Sequence, residues 1–233
     1  MDQIEAQRKL VAKGAEAELF LEKTWLGREV LLKKRVEKRY RISSLDRAIR
    51  EYRTMHEAEI MHKAKKIGVS TPVVFLVDLP STTIFMEHVC GQLIRNILGN
   101  LSEESRLTLF HTIGAETGKL HKGGIIHGDL TTSNMILTEN DRICFLDFGL
   151  AEHSDETEKR GVDLHLMKRM LVSTHYMFAD ECFASFLQGY SDTMGIGPAK
   201  EVVKKAEEIE RRGRYVSERE ISEDDNKQSP QVQ

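Results

Sequence analysis

The sequence predicts an α+β chain of two unequal units: a small five-stranded sheet with one long helix, then a reduced, mainly helical unit. Three observations predict it. Short Leu-, Val- and Phe-rich runs bounded by turns fill roughly the first 35 residues. Apolar residues then switch to helical spacing from Ser43. After Gly91 the pattern is helical except for one compact hairpin.

The elements follow in order. Strands are expected over 9–13, 18–24 and 29–36, separated by Gly14-Ala15-Glu16-Ala17 and by a hairpin turn at Trp25-Leu26-Gly27-Arg28. Ser43, with Asp46 three residues on, resembles a capping box. Leu45, Ile49, Tyr52, Met55 and Ile60–Met61 then follow a helix that Gly68 closes, with Pro72 just beyond. Two more strands are expected over 73–77 and 82–87, joined by Asp78-Leu79-Pro80-Ser81. Ser102, with Glu103 and Glu104 behind it, caps a helix running through Leu107, Phe110, Ile113 and Leu120. The hairpin follows over 135–137 and 143–146, and helices resume at about 163–176, 182–190 and 198–212. Boundaries are therefore expected to give an N-terminal unit over 1–87, a helical unit over 88–216, and a disordered tail over 217–233, which has one Ile and one Val.

Composition narrows the function classes. The 233 residues are 40% hydrophobic and 30% charged, enough for one good core or two small lobes. A formal charge of −3 excludes a polycation and an acidic disordered chain. No run approaches the roughly 18 apolar residues of a membrane span, and the N-terminus lacks an apolar signal core. A cytoplasmic, membrane-free protein is the expectation. Cys90, Cys144 and Cys182 are far apart and never in a CxxC spacing, so neither a disulfide framework nor a zinc site is expected.

The chemistry concentrates in Ile126-His127-Gly128-Asp129-Leu130-Thr131-Thr132-Ser133-Asn134, followed after the hairpin by Asp147-Phe148-Gly149. This is the layout of a phosphoryl-transfer site. A carboxylate must orient the attacking hydroxyl or water, here Asp129. Oxygen ligands must hold Mg²⁺ against nucleotide phosphates, here Asn134 and Asp147. Placing the second Asp after a hairpin lets both ligands converge on one ion from separate loops.

These motifs resemble the protein-kinase superfamily, and HGD in place of HRD points to its atypical branches. The segments GAEA, KKRVEKRYR, RTMHEA, GVSTP, IFMEHVCG, HGDLTTSNM, DFGLA, VDLHLMKRMLVSTH and RRGRY, in order over roughly residues 8 to 215, resemble the Bud-thirty-two family, also called the p53-related protein kinase family. The resemblance implies a two-lobed, protein-kinase-like fold and an atypical Ser/Thr kinase or ATPase using ATP and Mg²⁺. It also implies a subunit of the KEOPS complex, which supports threonylcarbamoyl modification of adenosine 37 in tRNAs reading ANN codons. The implied partners are the threonylcarbamoyl-transferase subunit, which it regulates, other KEOPS subunits, and tRNA.

Carried onto this chain, the resemblance makes Lys33 the phosphate-contacting lysine, with Lys34 and Arg35 as rivals; strand alternation turns Lys34 to the opposite face. Glu57 is the expected carboxylate partner over Glu51. Gly14, Ala15, Glu16 and Ala17 stand where a Gly-rich loop would cover the phosphates, but only one Gly is left and Glu16 adds a negative charge. That departure weakens fast phosphotransfer more than nucleotide binding. Backbone groups of Glu87 and Val89 are expected to pair the adenine edge, with Ile136 as its floor. His127 is expected to pack beneath the catalytic loop, and Asp163 to brace that loop or to cap a helix. Only thirteen residues, 150 to 162, separate DFG from Asp163 of the Val-Asp-Leu segment, and no APE follows, so a docking platform for a protein substrate looks absent.

Nine Lys/Arg against three acids lie between Lys33 and Arg53, and with Arg211, Arg212 and Arg214 they form a candidate surface for tRNA phosphates. Two rivals stand beside the main reading. One is a small-molecule kinase of the aminoglycoside-phosphotransferase type, which shares HGDxxxxN; the other is a nucleotide-gated scaffold with negligible turnover.

Overall fold

A computed structural model describes residues 8–23, 27 and 29–227, with side chains through Arg212. The expected turn at 25–28 lies almost wholly outside the described residues, as do the last six.

Strands β1 (Lys9–Lys13), β2 (Ala17–Lys23) and β3 (Glu29–Arg35) form an antiparallel meander. After helix α1 (Ser43–Lys66), strands β4 (Val74–Asp78) and β5 (Thr83–Glu87) complete the sheet in the order β1-β2-β3-β5-β4. The expected five strands and single long helix are thus present. In β3 the pleat buries Lys33 and Arg35 on one face and exposes Lys34 on the other.

Two local expectations for α1 are corrected. Ser43 lies inside the helix, whose N-cap is Ile42 with no side-chain cap bond. Asp46 is fully buried and instead accepts from the Lys38 backbone N–H at 3.3 Å and from Arg50 Nε at 2.7 Å, tying the entry loop to the helix. The apolar positions Leu45, Tyr52 and Met55 face solvent. The buried face is Thr54, Glu57, Ala58, Ile60, Met61 and Ala64, because a helix lining a polar cleft must bury small and charged groups over its middle turns.

A short strand β6 (Gly91–Leu93) and helix α2 (Ile94–Ile97) lead into α3 (Glu103–Lys122). Ser102 caps α3 by accepting from the Ser105 N–H at 3.2 Å. Strand β7 (Ile125–Ile126) enters the loop 127–134, and β8 (Met135–Thr138) with β9 (Ile143–Phe145) forms the expected hairpin, edged by β6. Strand β10 (Glu152–His153) pairs with β7, and α4 (Thr157–Thr174), α5 (Ala179–Met194) and α6 (Ile196–Lys227) follow. The backbone of α6 is helical well into the segment expected to be a disordered tail. That stretch is rich in Glu, Arg and Lys and has no Gly or Pro between Arg214 and Lys227, which favours helix.

Helix α3 packs along α5 and α4 along α6. At the first crossing the backbones nearly touch: a Cβ on Gly189 would lie 1.9 Å from the His111 carbonyl oxygen. One buried cluster runs from Ile60, Met61 and Ile84 through Phe145 and Phe148 to Phe110, Phe186 and Tyr190, so sheet and helices share a continuous core. Groups carried by the sheet and by the loops around the hairpin therefore sit on a common base.

Candidate active site

Lys33 and Glu57 are both buried, on β3 and α1, and meet through Nζ and Oε1 at 2.6 Å. The same Nζ lies 2.6 Å from Asp147 Oδ1. Burial opposes the charge on Lys33, yet the two carboxylates outweigh it and raise its pKa. Burial likewise works against the Asp147 carboxylate, but Lys33 beside it holds its pKa below the usual range. Glu51 turns away to pair with Arg47 at 2.8 Å, and Lys34 is exposed.

The catalytic loop is fixed from below. Asp163 is fully buried inside α4, so the helix-cap alternative does not apply. Its carboxylate accepts from the backbone N–H groups of His127 at 2.7 Å and Gly128 at 2.8 Å, and lies 3.1 Å from His121 Nε2. His121 reaches Tyr190 Oη at 2.8 Å, which extends the brace to α5. Burial lowers the pKa of His127, which packs on Phe148 with ring centroids 4.8 Å apart. Gly128 has φ 77°, and a Cβ there would meet the Leu150 carbonyl oxygen at 2.4 Å. The H-G-D spelling therefore follows from how closely the loop approaches the chain after Asp147.

Asp129 and Asn134 belong to one unit. Asn134 Nδ2 donates to Asp129 Oδ2 at 2.8 Å and to its carbonyl at 3.0 Å, so the amide Oδ1 is the acceptor end, with no hydrogen bond among the described residues. The Leu146 N–H donates to the Asn134 carbonyl at 2.8 Å, which brings Asp147 beside that unit. Asp147 itself has φ 53°, a left-handed backbone that its carboxylate stabilises by accepting from the Gly149 N–H at 3.2 Å. A carboxylate and an amide oxygen on adjacent loops make a donor set suited to a hard divalent cation.

Around this centre lie the other expected residues. In the loop 14–17, the Gly14 N–H donates to Ala17 at 2.9 Å and the Val36 N–H to Glu16 at 3.0 Å. Lys38 Nζ donates to the Ala15 carbonyl. The Glu16 carboxylate pairs with Arg53 and lies 3.6 Å from Arg35 Nη1; Arg53 is the main reason its pKa is lowered. Glu87 ends β5, where its N–H donates to the Val73 carbonyl at 2.8 Å, and Val89 follows on the linker to β6. Ile136 lies in β8 opposite Leu93 and Cys144, against Gly91 at the far end of that linker.

The residue missed in the sequence is Arg35, treated there only as a rival of Lys33. The signal was available: a period of two puts residues 33 and 35 on the same face of β3.

A protein kinase domain family model matches residues 7–194. The KEOPS complex subunit Bud32 of Pyrococcus abyssi is 44% identical over 212 residues, covering 89% of this chain and 96% of that protein. A probable serine/threonine-protein kinase BUD32 homolog of Archaeoglobus fulgidus is 40% identical over 188 residues, 80% of this chain and 89% of that protein. A probable bifunctional tRNA threonylcarbamoyladenosine biosynthesis protein of Methanothermobacter thermautotrophicus is 43% identical over 212 residues, 91% of this chain but 38% of that protein.

Proposed function

The chain belongs to the protein kinase domain family and, within it, to the Bud32 family, and from that premise we propose that it is an atypical serine/threonine kinase or ATPase working in the KEOPS complex to support threonylcarbamoyladenosine formation in tRNA. The observation that carries the reading is Lys33 Nζ at 2.6 Å from both Glu57 and Asp147, with the Asp129–Asn134 unit one backbone hydrogen bond away.

In this reading ATP lies beneath the loop 14–17, with its adenine against Glu87, Val89 and Ile136. Lys33, aimed by Glu57, holds phosphate oxygens. Asn134 Oδ1 and Asp147 hold the divalent cation, for which we infer Mg²⁺; when bound it neutralises charge on the phosphates. Asp129 orients the attacking water or hydroxyl, its carboxylate kept in place by Asn134. His127 takes no part in proton transfer, because it is buried and held neutral.

The bifunctional relatives support a threonylcarbamoyl-transferase subunit as the partner: in them a segment similar to this chain is covalently joined to a larger remainder, and joining raises effective concentration. Transfer RNA is a further inferred partner, with a narrower surface than the sequence suggests. Of the basic residues between Lys33 and Arg53, Lys33, Arg35, Arg41, Arg47, Arg50 and Arg53 make ion pairs within the chain, and Lys38 holds the Ala15 carbonyl. Arg212 pairs with Glu158 at 2.9 Å, and the Arg214 side chain lies outside the described set. No helix among the described residues is long and apolar enough to cross a membrane, and we place the protein in the cytoplasm, where tRNA is modified.

The test is threonylcarbamoyladenosine formation on tRNA by the other KEOPS subunits with this chain, with its Asp129→Ala variant, and with no addition. The reading expects modification to rise with the wild type and to stay near the no-addition level with Asp129→Ala. Equal modification in all three would remove the chain from that reaction.

A further inference from the structure

Arg35 is a buried cation with no role in the arrangement described so far. It is 4% exposed, less than Lys33 at 9%. Burying a guanidinium is costly unless good geometry repays it, so its partners matter. Nη2 donates to Glu57 Oε2 at 2.7 Å and reaches the Arg53 carbonyl at 3.4 Å. Nη1 lies 3.6 Å from Glu16 Oε2, and a Cβ on Gly149 would sit 3.5 Å from Nη2. Four segments meet at one guanidinium: β3, the loop over the phosphates, α1, and the turn after Asp147.

The two oxygens of Glu57 are thus divided between two cations, Oε1 to Lys33 and Oε2 to Arg35. A carboxylate held by one cation can swing about its last torsion, which is broad. Held on both oxygens, its plane is fixed, and so is the direction in which it aims Lys33. Nucleotide entry requires Lys33 to exchange Asp147 for phosphate oxygens while keeping Glu57. A second cation on Glu57 keeps that carboxylate in place during the exchange. The same guanidinium, with Arg53, draws Glu16 toward α1, which tethers a loop whose extra negative charge would otherwise oppose the phosphates.

We propose that Arg35 is a positioning residue for phosphoryl transfer, fixing the Glu57 carboxylate that aims Lys33 and linking it through Glu16 to the phosphate-covering loop. This rests on the reading of the cleft given above. A lysine is not equivalent here: it brings one ammonium, whereas the planar fork of Arg35 sets Nη2 on Glu57 and Nη1 toward Glu16 from two separate nitrogens.

The experiment measures kcat and KM for ATP–Mg²⁺ in the full chain for wild type, Arg35→Lys, Arg35→Gln and Glu16→Gln, with Asp147→Ala as the inactive reference. Affinity for a fluorescent ATP analogue and thermal unfolding are recorded alongside. Both Arg35 variants are expected to lose about tenfold or more in kcat while KM and analogue affinity stay within about threefold, as misaimed groups do. Arg35→Lys keeps charge and bulk, so it decides the matter if Arg35→Gln does not fold. Restoration of kcat by Arg35→Lys, or affinity falling in step with kcat, overturns the proposal. Adding Glu16→Gln to Arg35→Lys is expected to change kcat no further; full additivity breaks the link to the loop. A wild type no faster than Asp147→Ala removes the phosphoryl-transfer reading itself, and Arg35 with it.

Discussion

His127 lies between Phe148 and Phe145, with ring centroids 4.8 and 6.2 Å away, and is fully buried. Its Nδ1 accepts from the Asp129 N–H at 3.3 Å, which leaves Nε2 as the protonated nitrogen donating to the Leu146 carbonyl at 3.1 Å. Burial lowers its pKa despite the nearby Asp163. The sign follows: the unfolded state takes up a proton near pH 6.5 and the folded state only below that. His127 thus contributes stability that is present above about pH 6.5 and lost as pH falls through its folded pKa; His165 and His175, also lowered by burial, act in the same direction. Urea midpoints should fall between pH 7.5 and 5.5, and imidazole NMR should show His127 titrating below the usual histidine value, with Nε2 protonated in the neutral form. A His127 that titrates at or above the usual value would contradict this packing. Residue placement was legible in the sequence where spacing alone sets it, as for buried Lys33 against exposed Lys34. Arg35 was on the page by the same rule, but its role depends on the second oxygen of Glu57, which no spacing in β3 reveals.

At the scale of elements, α3 and α5 are held closer than side chains normally allow. A Cβ on Gly114 would meet the Phe186 carbonyl oxygen at 1.9 Å, mirroring Gly189 against His111. Backbone cannot yield locally as a side-chain tip can, so Gly189→Ala should push the helices apart. The expected cost is about 1–3 kcal/mol, against a small gain from helix propensity. Chemical denaturation of the purified variant measures it; an unchanged or higher midpoint would show that the crossing relaxes freely. The strands and long helices were legible because turn, cap and glycine residues bound their apolar runs. The polar buried face of α1 was not: Leu45, Tyr52 and Met55 carry helical spacing yet face solvent, since the inward positions are reserved for Thr54, Glu57 and Ala58 beside the cleft. Ser43 and Asp46 have the spacing of a capping box, but Asp46 is drawn into the basic residues around it. Ser102 has no such competitor and caps as expected.

Across the whole molecule, the sheet carries Lys33 and the helical region carries Asp129, Asn134 and Asp147, with one core beneath both. Between Asp147 and Asp163 the chain makes only the short strand β10 and the first turns of α4. The positive charge between Lys33 and Arg53, read in the sequence as a surface, is largely paired with acids at 16, 46, 51 and 57, and only Lys33 and Arg35 in it are buried. Composition counts charges; only the fold says which face water. In the proposed reading, Asp129, Asn134 and Asp147, with Lys33 and Glu57, form one phosphoryl-transfer site. Release of phosphate from ATP–Mg²⁺ by the wild type, Asp129→Ala and Asp147→Ala, in a single-turnover assay with and without the partner subunits, tests it most directly. The account predicts release by the wild type and its loss, by about a hundredfold or more, in both variants. Equal rates for all three, with ATP still bound, would contradict it and leave a nucleotide-binding scaffold.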